Sequence, residues 1–171
     1  YAKQTLCAMG GAGQLYAITT NPAQVTGDGV ALALRHNVAV ADIEFVQFHP
    51  TALHHKAMPR LLLSEALRGH GAYIRNQAGD RFVDELLPRD QVSFAIVQAI
   101  QQQTNDFVWL DLTHLEDFSA RFERVYEQLL EYGFDPSHDW VPIVPAAHYL
   151  CGGILTNLWG ATSLPGFWAV G

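Results

Sequence analysis

The sequence predicts an α/β fold, on three observations. Short apolar runs of strand length alternate with stretches of helical period, Gly, Pro, Asn and Asp punctuate them, and no repeat or low-complexity linker interrupts the series. At 49% hydrophobic and 16% charged, the 171 residues have the composition of a chain that builds a core.

Taken in order, residues 5–8 read as a short strand, and Gly10, Gly11 and Gly13 form a turn that lets backbone approach another group closely. A helix is expected over residues 30–35, with Thr26 or Asp28 as its cap and its positive end toward an anion. Residues 42–48 alternate as a strand does, which puts His49 at a strand end, and residues 61–68 read as a helix ended by Gly69 and Gly71. Residues 72–74 and 81–83 flank Asn76-Gln77-Ala78-Gly79-Asp80 as the arms of a hairpin. From Asp90 a helix brings Val92, Ile96, Ala99 and Ile100 to one face. A strand over residues 107–110 follows, then an amphipathic helix over 118–130 with Phe122, Val125, Tyr126 and Leu129 inward. After the turn at Asp135-Pro136, residues 141–154 read as strand and loop around His148, and the run from Phe167 to Gly171 resembles a strand.

Charge and composition exclude several classes. A net charge of −7, from 17 acidic against 10 basic residues without a basic stripe, argues against nucleic acid as a partner. No apolar run reaches the roughly 18 residues of a membrane span, so no span and a cytoplasmic location are expected. Cys7 and Cys151 are far apart and are expected as reduced thiols. The opening Tyr1-Ala2-Lys3 and the close at Gly171 are read as those of an internal fragment.

Four segments carry more functional residue types than a core requires. Gly10-Gly11-Ala12-Gly13-Gln14, with Thr20-Asn21-Pro22 and Thr26-Gly27-Asp28-Gly29, suits a phosphate or ribose, although the last glycine of a dinucleotide fingerprint is lacking and turns alone account for it. In Gln47-Phe48-His49-Pro50-Thr51 a proline fixes the backbone beside a histidine, which is either structural or a cleft residue. Ser64-Glu65-Ala66-Leu67-Arg68 puts Glu65 and Arg68 on one helix face within reach of each other, for which the plain alternative is a surface ion pair worth about 0.5 kcal/mol. Pro145-Ala146-Ala147-His148-Tyr149-Leu150-Cys151-Gly152-Gly153 holds a histidine before two glycines. No metal is expected, because a closed zinc site needs about four ligands and the chain lacks a second close Cys/His pair. A serine hydrolase lacks its nucleophile elbow around Ser64.

In this order, and with Pro88-Arg89-Asp90, the segments resemble the flavoprotein family of succinate dehydrogenase, fumarate reductase and L-aspartate oxidase over nearly the whole chain. The stretch Pro145-Ala146-Ala147-His148-Tyr149-Leu150-Cys151-Gly152-Gly153 and the strand ending Leu110-Asp111-Leu112-Thr113-His114-Leu115 are similar to the aspartate oxidase branch. The resemblance implies an α+β capping domain (residues 43–150) inserted in a Rossmann-like FAD-binding domain, of which residues 1–42 and 151–171 are parts. It implies FAD as cofactor, held by Gly11, Gly13, Asn21 and Asp28, and a C4 dicarboxylate (L-aspartate, fumarate or succinate) as substrate, held by His49, Ser64 and His148. Arg89 would be the proton-transfer residue, with Glu65 and Arg68 relaying protons to solvent. A guanidinium, with a pKa above about 12, gives a proton more readily than it takes one, so the role suits the reductase direction; anchoring the helix after Asp90 is the alternative for Arg89. The activity implied for the parent is oxidation of L-aspartate to iminoaspartate in NAD biosynthesis, with oxygen or fumarate as acceptor. The alternatives are a fumarate reductase or succinate dehydrogenase flavoprotein, or a catalytically incomplete folded module. Two positions depart from the family pattern: His70 stands where the oxidase branch commonly has Glu, and Phe94 where an arginine is common.

Overall fold

A computed structural model describes residues 1–171. Helix and strand mix as expected, and the chain divides into two compact units: Tyr1–Gln47 with Ala147–Gly171, and Phe48–Ala146.

In the first unit, β1 (Thr5–Cys7) leads through the glycine turn and a single 3-10 turn at Gly13–Leu15 to α1 (Asp28–Arg35) and β2 (Val40–Ala41). Neither Thr26 nor Asp28 caps α1. Gly27, at φ +84°, takes the cap position, and the Thr26 hydroxyl donates instead to Asp28 Oδ2 at 2.9 Å. The strand expected over 42–48 begins later. Asp42 sits at φ +56° and its carbonyl accepts the Phe45 N–H, so residues 42–45 turn, and β3 runs Val46–Leu53. His49 therefore lies inside a strand rather than at its end. Pro50 lies in the same strand, which is an edge of its sheet.

The second unit is built on one four-stranded sheet in the order β3, β6 (Val141–Leu150), β5 (Val108–Asp111), β4 (Tyr73–Arg75). Between β3 and β4 (Tyr73–Arg75) lies α2, which is only Glu65–Gly69. The helix expected over 61–68 is shortened because its first residues hydrogen-bond back to β3: Leu53 N–H donates to Leu61 O and Leu63 N–H to Thr51 O, both at 2.9 Å. Ser64 caps α2 instead, its Oγ accepting the Ala66 N–H at 3.3 Å. The hairpin expected at 72–83 is reduced to one bridge, Arg75 to Arg81, around an Asn76 turn: β4 pairs along its length with β5 (Val108–Asp111), and its Ile74 N–H donates to the Glu85 carboxylate rather than to a second arm. Before β5 comes α3 (Arg89–Gln101); after it the 118–130 helix is broken at Phe122 (φ −124°, ψ 42°) into α4 (Phe118–Arg121) and α5 (Glu123–Glu131). The chain then re-enters the sheet as β6 (Val141–Leu150) and closes with β7 (Gly153–Ile154) against β2 and β8 (Phe167–Ala169) parallel to β1.

Val92 and Ile96 of α3, Leu129 of α5 and Ile74, Leu110 and Ile143 of the sheet form one buried apolar core in this unit, against which Ala99, Ile100, Phe122, Val125 and Tyr126 pack. The helix faces read from period alone are thus the faces that are buried.

Candidate active site and flavin cleft

The second unit gathers charge at the start of two helices. Glu65 is the first residue of α2 and Arg89 the first of α3, so each leaves its element at an end not committed to core packing. Arg89 Nε donates to Glu65 Oε2 at 2.7 Å, and Arg68 Nη2 lies 3.7 Å from the same oxygen. The Arg89 guanidinium bonded to Glu65 holds its carboxyl below the usual carboxylate range, against a smaller opposing effect of burial, and Arg68 and His49 add to the lowering. Arg68 is buried (2% exposed), which pushes its guanidinium pKa down, while Glu65 acts in the opposite direction. Arg68 is therefore no part of a surface ion pair. Two cations share one anion, and the excess positive charge suits a carboxylate ligand.

His49 is buried on β3, its Nδ1 accepting the Thr51 N–H at 3.3 Å, while Thr51 Oγ1 donates to Leu63 O at 2.6 Å. These bonds tie β3 to the segment leading into Ser64. Because the Ser64 hydroxyl accepts the cap bond through a lone pair, its hydrogen remains able to donate to a ligand.

In the first unit, residues 19–21 grip the strand that carries His148. Thr19 Oγ1 donates to Ala147 O, Asn21 Nδ2 donates to His148 O, and Thr20 Oγ1 pairs with His148 Nδ1, each at 2.8 Å. The Thr20 partnership holds the ring's orientation, and this contact across 128 residues had no signal in the sequence. Gly13 serves this grip, since a Cβ there would stand 2.0 Å from Asn21 Oδ1. Gly11, Asn21 and His148 line a cleft of about 670 Å³, together with Gly10, Gly29, Gly152 and Gly153. Gly13 and Asp28 do not line it. Walls of bare glycine backbone with a few polar groups fit a cofactor that must lie flat against the chain, so the residues present suit FAD.

The two departures also have places. His70 Nε2 pairs with Asp117 Oδ1 at 2.8 Å, which holds the Asp117 carboxyl below its usual range, and Phe94 is exposed on α3. No group of three or more His, Cys, Asp or Glu side chains could hold a metal ion. No helix is long and apolar enough to cross a membrane.

The L-aspartate oxidase of Acinetobacter baylyi is 45% identical over 172 residues, covering 96% of this chain and 32% of the relative. That of Yersinia pestis is 44% identical over 178 residues, covering 99% of this chain and 33% of the relative. Among solved structures, a quinol-fumarate reductase with menaquinol molecules superposes with a TM-score of 0.88 at 36% identity, over 97% of this chain and 33% of that one. The Escherichia coli quinol fumarate reductase gives 0.86 at 34% identity, over 97% of this chain and 32% of that one. The chain thus spans about a third of the length of the relatives it matches. The family model described as an FAD binding domain matches residues 1–171, and to that family the chain belongs.

Proposed function

We propose that the protein to which this chain belongs oxidises L-aspartate to iminoaspartate with FAD, and that the chain contributes part of the flavin site and the proton relay. The observation that carries the reading is Glu65 held between Arg89 and Arg68 beside a buried His49, in a chain whose curated relatives are L-aspartate oxidases at 43–45% identity.

Bound FAD supplies the acceptor for the hydride that leaves C2 of the substrate. In the first unit the Gly10–Gly11 backbone and Asn21 would hold that cofactor, with Gly13 and Asp28 as supports of the local fold. Within the second unit, His49 and Ser64 donate to a substrate carboxylate. His148, fixed by Thr20, is a carboxylate donor in the first unit. Arg89 is the residue that hands over a proton when fumarate is reduced, and Glu65 and Arg68 return one to it. Glu65 is exposed enough to exchange with water, while Arg68 is not. Residues 43–150 would form the capping domain of the parent, and residues 1–42 and 151–171 its flavin domain.

The second reading is a fumarate reductase or succinate dehydrogenase flavoprotein, favoured by the structural neighbours. Anaerobic addition of L-aspartate or succinate to the full-length, FAD-loaded protein separates them. Bleaching of the flavin absorbance by aspartate and not by succinate is expected; rapid bleaching by succinate would favour the second reading, and a protein that retains no flavin would sink both.

A further inference from the structure

Glu85 is a buried carboxylate (4% exposed) that the proposed relay does not use. Both its oxygens are engaged: Oε1 accepts the Ile74 N–H at 2.8 Å and Arg81 Nε at 3.1 Å, and Oε2 accepts Arg81 Nη2 at 2.7 Å. Its main chain points the other way in function. The Glu85 carbonyl accepts from Nη1 of Arg68, while Nε and Nη2 of Arg68 have no hydrogen-bond partner. That carbonyl is therefore the one hydrogen-bond acceptor that holds a long, flexible side chain in place beside Glu65. Four residues further on, Arg89 opens α3, so the same turn sets both guanidinium groups.

We infer that Glu85 is a positioning residue for proton transfer: its side chain, tied to β4 and to Arg81, fixes the main-chain carbonyl that keeps Arg68 within reach of Glu65. The inference rests on the relay reading of Glu65, Arg68 and Arg89. A carboxylate suits the position because one residue must accept from a strand N–H and from a guanidinium fork together, and a bidentate pair adds geometric precision. Were Glu85 merely structural, its loss would lower stability without altering the proton step.

The test uses the full-length holoenzyme, with fumarate reduction as the assay because that direction consumes a proton. Glu85→Ala is expected to lower kcat by about tenfold or more, a part of the 10²–10⁴ that positioned proton transfer supplies. KM should stay within about twofold, and the solvent deuterium isotope effect on kcat should rise as proton delivery becomes limiting. Glu85→Gln should recover most of the loss, since its amide oxygen can still accept from Ile74 N–H and Arg81 Nε. Arg81→Ala, an exposed change that does not depend on burying a new group, should show a smaller fall in kcat with the same rise in isotope effect. Wild-type kcat and isotope effect in Arg81→Ala, or a lowered Tm with both unchanged in Glu85→Ala, would overturn the inference. Glu65→Gln and Arg68→Lys measured alongside separate the two failures. Full turnover in those variants removes the relay itself, whereas loss in them with normal Glu85 and Arg81 variants removes only the role of Glu85.

Discussion

At the scale of single residues, the site turns on one shared oxygen. Glu65 Oε2 faces Arg89 at 2.7 Å and Arg68 at 3.7 Å, and the lowered carboxyl pKa means that it is ionised throughout the neutral range. A relay through Glu65 needs that charge. Glu65→Gln, which keeps the shape, should lower turnover by about a hundredfold with little change in KM, measured by steady-state kinetics on the full-length enzyme. Turnover within threefold of wild type would remove Glu65 from the relay. The sign for stability follows from the same shift. A carboxyl held below its ordinary range adds stability above that range and loses it as pH falls through the folded value, though half-exposed Glu65 contributes little after screening.

At the scale of elements, Ser64 and Gly152 show how local rules place the site. Ser64 ends an extended segment and caps a five-residue helix, so Ser64→Ala should cost about 1 kcal/mol in chemical denaturation, on top of any loss in substrate affinity; an unchanged midpoint would show that the cap bond contributes nothing. At Gly152 a Cβ would stand 2.1 Å from Asp42 O, in a segment that lines the glycine-rich cleft proposed for FAD. Gly152→Ala must move backbone on one side or the other, and weaker FAD retention is expected on gel filtration; wild-type flavin content would show that the segment yields without disturbing the cleft.

The same elements show what was legible in the sequence. Helical period named the buried faces of α3 and α5, because core packing is what period reports. The Ser64-Glu65-Ala66-Leu67-Arg68 spacing brought Glu65 and Arg68 together for the same reason. The partner of Glu65 across 24 residues, and the Glu85 carbonyl on Arg68, had no periodic signal, since tertiary contacts between element ends follow from sheet pairing. The misplaced start of β3 and the shortened α2 share one cause. Leu61 and Leu63 are apolar at a spacing that either a helix or an extended segment accepts, and hydrogen bonds from β3 decided for the latter.

At the scale of the whole molecule, the second unit carries its own continuous apolar core, and its first and last strands, β3 and β6, are neighbours in one sheet. Neighbouring ends and a private core are what independent folding requires. Within that unit Asp111 links β5 to β4: Arg75 Nε donates to Oδ2 at 2.7 Å, and Thr113 donates to Oδ1 from Oγ1 at 2.7 Å and from its N–H at 3.1 Å. Burial pushes the Asp111 carboxyl up, but the Thr113 and Arg75 hydrogen bonds outweigh it and hold the pKa below the ordinary value. A depressed carboxyl favours the folded state wherever the unfolded chain is ionised, so its contribution is present above about pH 5 and fades as pH falls through the acid range below about pH 4. Asp111→Asn removes that contribution and turns an amide donor toward Arg75, at a cost of about 2–3 kcal/mol near neutrality. In urea melts of residues 48–146, the wild-type segment should unfold in one cooperative step, and the gap between it and the variant should narrow as pH is lowered toward 3. A broad, non-cooperative melt would show that this unit does not fold alone, and a gap that is constant with pH would show that the Asp111 charge is not what joins β4 to β5.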